Sequence, residues 1–137
     1  MDKKLTDWIE SKGITLIPDK IDLFDRYTKT IKYNKHNKKE NQLFSILHEC
    51  GHFLLQQNIY TYAKKYKAQV DFNTRLFDKP FRPYKISVLK EEYDAWDRGL
   101  ALAKRLKIDI DEEKYYNYAS KFLYTYCKWV VSRRRNV

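Results

Sequence analysis

At 137 residues the chain has the length of one domain and enough material to bury a core of ordinary size. Hydrophobic residues make up 43%, with 12 Tyr against 3 Gly and 3 Pro, which excludes a disordered or low-complexity chain, and two cysteines are too few for a disulfide scaffold or a cysteine-only zinc site. The net charge of +10 favours acidic partners in general but does not by itself specify nucleic acid.

The first predicted element is a helix over residues 3–12, where Leu5, Trp8 and Ile9 recur at helical spacing before Gly13. Ile14 to Ile17 reads as a strand ended by Pro18. Residues 28–34 alternate as a second strand, half buried through Ile31 and Tyr33. A helix of about twenty residues follows, with Asn37 as its N-cap, Glu40 at capping-box spacing and Asn58 as its stop. Its core stripe is Leu43, Leu47, Cys50 and Leu54. Ile59 to Ala68 has a helical aromatic face, and Asp78 to Pro83 reads as a loop.

Ser87 to Lys107 is a second long helix, with Tyr93, Trp96, Leu100 and Ala103 in one row and Glu92, Ala95, Gly99, Leu102 and Leu106 beside it. A third follows Asp109, with Glu112 at capping-box spacing, and runs through Ala119, Phe122, Leu123, Tyr126 and Val130 to a basic tail at Arg133–Val137. The expected fold is therefore α+β, a single domain over residues 1–137 with a short sheet, one central helix and two further C-terminal helices.

The central helix carries the chemistry. Residues 48–52 read His-Glu-Cys-Gly-His in a chain with only three histidines. At 3.6 residues per turn His48 and His52 share one face and can reach one Zn²⁺, leaving Glu49 beside them as a base. Gly51 gives up about 1 kcal/mol of helix propensity relative to alanine, which close approach by another helix would offset. A catalytic zinc needs a third protein ligand and an open position. No histidine follows His52, the extended metzincin pattern fails at Leu55 and Asn58, and no cysteine precedes the motif. A carboxylate, Cys127 or His36 remains, and the run Lys90 to Gly99 supplies carboxylates at Glu91, Glu92 and Asp94.

From strand 28–34 through Phe44-Ser-Ile-Leu-His-Glu-Cys-Gly-His-Phe-Leu-Leu55 to the helix bearing Glu92 and Ala95, the chain resembles the gluzincins, closest to the ImmA/IrrE-type metallopeptidases and the minigluzincins. The resemblance covers residues 28–106. It implies a zincin-like fold and Glu92, three residues before the small Ala95, as the third ligand. Glu91 is the second choice, and Asp94 is a candidate hydrogen-bond partner for a ligating histidine.

The expected activity is zinc-dependent hydrolysis of a peptide bond in an intracellular protein, with Glu49 activating the water. An oxyanion donor is needed as well; Tyr84, Tyr93 and His36 lie near enough in sequence to be considered. Strand 28–34 is a candidate edge for an extended peptide substrate. The alternative is a non-catalytic basic module that binds nucleic acid or an acidic protein through clusters such as Lys35–Lys39 and Lys64–Lys67. With no long apolar run and no apolar leader after Met1, the expectation is a soluble cytoplasmic protein with reduced thiols and no membrane contact.

Overall fold

The computed structural model describes residues 1–70 and 82–132. Among these the order is α1 (Lys3–Ser11), β1 (Thr15–Asp19), β2 (Leu23–Asp25), β3 (Thr30–Asn34), α2 (Lys39–Gln56), α3 (Ile59–Lys65), α4 (Arg82–Arg105) and α5 (Glu112–Val131). A small α+β architecture results, with a short mixed sheet in front of a helical layer. The Arg133–Val137 tail and residues 78–81 of the expected loop lie outside the described residues.

The Asp2 carboxylate caps α1 by accepting from the Lys4 N–H at 2.8 Å, and Gly13, at φ +73°, turns the chain out of the helix. The sheet order is β1-β3-β2, with β1 parallel and β2 antiparallel to β3. Two expectations change here. Pro18 lies inside β1 rather than after it, which is tolerable because β1 is an edge strand that can do without one N–H. The 28–34 strand is the central one: both its sides are already paired, so no peptide can add to it. The three-residue β2 was not foreseen at all.

Helix α2 is buried on nearly every side, from Phe44 to Phe53. Asn37 does not cap it. Lys38 holds the cap position without a side-chain bond, while the Gln42 amide donates to the carbonyls of Lys35 (3.1 Å) and Asn37 (2.9 Å) and fastens the turn instead. Asn58 is not a stop residue but the N-cap of α3, accepting from the N–H groups of Tyr60 and Thr61. Pro83 falls in the first turn of α4, where a missing N–H is harmless. Asp111, not Asp109, caps α5. The buried Lys85 of α4 donates to the carbonyls of Trp129 (3.1 Å) and Ser132 (2.7 Å) at the C-terminal end of α5.

Two glycines set the distance between α2 and α4. A Cβ built on Gly51 would stand 2.8 Å from the Ala95 carbonyl carbon, and one on Gly99 would stand 2.7 Å from that of Leu47. The helices thus touch backbone to backbone at both points, four residues apart on each. Gly51→Ala should therefore destabilise the fold despite its better helix propensity. Overpacking of this kind costs about 1–3 kcal/mol, against about 1 kcal/mol regained. Chemical denaturation checks this: a midpoint at or above that of the parent would show that the helices separate freely.

Candidate metal centre

Spacing alone places the motif side chains on one face of α2, and packing then fixes each ring. His48 and His52 lie with ring centroids 4.7 Å apart, both buried, and His48 stacks on Trp96 of α4 at 4.1 Å with 11° between planes. His48, Glu49 and His52 each offer a ligand atom within 4.8 Å of the others, a three-donor His/His/Glu cluster with metal-compatible geometry. Because the glycine contacts bring α4 so close, two of its carboxylates reach the same rings.

Their positions differ. Glu92 presents Oε2 to His52 Nε2 at 2.7 Å and Oε1 to His48 Nε2 at 3.4 Å. Glu91 takes the other side of His52, with Oε2 at 2.7 Å from Nδ1. Glu49 approaches His48 from its Nδ1 side, at 3.5 Å. Asp94 meets neither histidine, contrary to expectation; it accepts from the Tyr66 hydroxyl at 2.7 Å and lies 3.3 Å from Lys65 Nζ. His36 and Cys127 are exposed and outside the cluster.

Electrostatics mark this as a place built for a cation. Burial pushes the Glu49 carboxyl above the usual carboxylate range. Burial also opposes charge on His52, yet its hydrogen bonds to Glu91 and Glu92 hold it well above the ordinary imidazole value. For Glu92 the contacts with both histidines outweigh burial and keep its carboxyl well below the ordinary value. Three buried or nearly buried carboxylates thus converge on two imidazoles. His48 Nε2 is buried with no hydrogen-bond partner, although Glu92 is near. Such an orphaned ring nitrogen, facing the side that His52 Nε2 and Glu92 share, is what a bound ion satisfies.

A cleft of about 370 Å³ opens above this floor. The Lys20–Asp22 turn forms one wall and Phe122 and Tyr126 of α5 the other. The Asp22 carboxylate pins that turn by accepting from the Asn34 N–H at 2.7 Å. Tyr84 and Tyr93 do not line the cleft. Tyr126 does, and burial together with the negative charge of Glu92 and Glu49 pushes its hydroxyl upward. Sequence gave no means of choosing it, since its approach depends on how α5 crosses α4.

The sequence model of the IrrE N-terminal-like domain, peptidase family M78, matches residues 9–77, half of the chain and all of the motif helix. The chain belongs to this family. No curated protein and no solved structure matches it. The family match takes in the sheet, α2 and α3 and ends before α4, so that Glu91 and Glu92 stand on geometry alone. Family membership and the buried His-Glu-x-x-His cluster together make this an enzyme-like, gluzincin-type site suited to hydrolysis. Among the described residues no helix is long and apolar enough to cross a membrane.

Proposed function

We propose that the chain is a cytoplasmic zinc metallopeptidase acting on protein or peptide substrates, with His48, His52 and Glu92 as metal ligands and Glu49 as catalytic base. The observation that carries this reading is Glu92 spanning the Nε2 atoms of both histidines while His48 Nε2 has no hydrogen bond of its own. Glu49 belongs to the same donor cluster, but it borders the opposite ring nitrogen of His48, which favours Glu92 as the third ligand.

When bound, the ion supplies Lewis acidity, bringing water ionisation toward neutral pH and drawing electron density from a carbonyl oxygen. The Glu49 carboxylate accepts the proton of the attacking water and returns it to the leaving amine nitrogen. Tyr126, on the wall of this cleft, would donate a hydrogen bond from its hydroxyl to the oxyanion that forms as the carbonyl is attacked. Ile21 and Phe122, both exposed at the rim, flank the substrate chain with apolar surface.

Purified protein should carry about one zinc per chain and cleave an unfolded protein substrate, and a chelator should abolish cleavage until zinc is restored. Cleavage that persists after complete removal of the metal would rule the mechanism out.

A further inference from the structure

Glu91 is immediately next to the proposed ligand and yet turned to a different task. Its Oε2 accepts from His52 Nδ1 at 2.7 Å and from Gln56 Nε2 at 3.0 Å, and its Oε1 accepts from the Tyr62 hydroxyl at 2.5 Å and Gln69 Nε2 at 3.3 Å. An ionised carboxylate has about four acceptor sites. All are used by the protein, so Glu91 has none to offer an ion. We propose that Glu91 is a positioning residue that fixes the ring and tautomer of His52 for the metal, and that Tyr62 of α3, by holding Glu91, belongs to the metal site although it never touches it.

The chemistry follows from the two nitrogens of one imidazole. With an ion bound, a proton kept on Nδ1 and shared with Glu91 would leave Nε2, the atom that faces Glu92, free to ligate it. A fixed carboxylate behind the ring also makes the ligand a stronger donor. His48 lacks this arrangement. Its ring is held by stacking on Trp96, and among the described residues its Nδ1 has Glu49 beside it at 3.5 Å. The two histidines are therefore supported differently: one by a face, the other by a chain of hydrogen bonds.

That chain ends on α3. Tyr62 and Tyr66, one helical turn apart, reach Glu91 and Asp94 of α4, and the same two tyrosines pack with Leu55 and Ala95 in a small apolar cluster. Of these two clasps, only the Tyr62 one touches a residue bonded to a histidine. Docking of α3 and affinity for the metal are consequently linked through one phenolic hydroxyl.

This rests on the zinc reading above, and the test separates the two. Zinc affinity is measured by competition with a chromophoric chelator for the parent, Glu91→Leu, Glu91→Gln, Tyr62→Phe and Tyr66→Phe, with thermal midpoints recorded alongside. Glu91→Leu should weaken zinc binding about 10- to 100-fold. Glu91→Gln, which can still accept from Nδ1, should restore part of that loss, and Tyr62→Phe should give a smaller loss in the same direction. Tyr66→Phe breaks the neighbouring clasp and should leave affinity within about twofold of the parent, against that 10- to 100-fold scale. In ¹⁵N-edited spectra the His52 Nδ1–H signal should be present in the parent and lost in Glu91→Leu. Should Glu91→Leu fail to fold, Tyr62→Phe against Tyr66→Phe decides alone. Equal affinities in those two variants would overturn the proposal, whereas a parent that takes up no zinc would overturn the reading beneath it.

Discussion

The double variant His48→Ala, His52→Ala is expected to purify with almost no zinc, down from about one ion per chain. Both imidazoles supply the nitrogen donors of the cluster, and what remains is a group of carboxylates, a set better suited to hard, oxygen-seeking cations than to zinc. The same change removes the imidazole partners of Glu91 and Glu92, both on the α4 face packed against α2. Breaking a buried pair by deleting one partner costs about 3–5 kcal/mol. The variant should therefore lose stability as well as metal. Elemental analysis paired with circular dichroism separates the effects, because a folded variant with its full zinc content would place the ion elsewhere in the chain.

Glu49→Gln should do the reverse, keeping the metal while removing nearly all hydrolysis. The amide preserves the shape of the side chain in its buried position at the cleft floor but cannot take a proton from water. Loss of a positioned general base lowers rate by about 10²- to 10⁴-fold. Zinc content and KM should stay near those of the parent, since the change leaves His48, His52 and Glu92 in place. Tyr126→Phe provides the comparison: loss of one oxyanion donor lowers kcat by about 10²- to 10³-fold. A Glu49→Gln enzyme that retains turnover within a few-fold of the parent would require another base.

The fold was legible where the pattern is local. Leu5 and Ile9 with Gly13 marked α1, and the closeness foreshadowed by Gly51, Ala95 and Gly99 is the backbone contact between α2 and α4. It failed where a residue's role is decided by a partner far along the chain. Asn37 has the right chemistry for a cap, yet its amide donates to Tyr118 across 81 residues, and Gln42 secures the turn in its place. Strand β2 is too short to show alternation.

In the site, the cluster of His48, Glu49 and His52 followed from spacing, because one turn of helix brings such residues together whatever surrounds them. The division between Glu91 and Glu92 did not. Adjacent residues point about 100° apart on a helix, and which one meets Nε2 depends on how α4 is rotated against α2. The same holds for Tyr126 and Tyr62, which reach the site from two other helices, α5 and α3.

The paired glycine contacts also decide which parts of the enzyme can move. Sliding α4 by one turn, about 5.4 Å, in either direction would bring Ala95 or Ala103 opposite the Leu47 backbone, where only a glycine hydrogen fits. The two helices accordingly have a single permitted register, which fixes the floor of the cleft against a one-turn slide. The proposed peptide substrate would therefore enter past the Lys20–Asp22 turn and the Phe122–Tyr126 stretch of α5, which line the cleft outside this fixed floor.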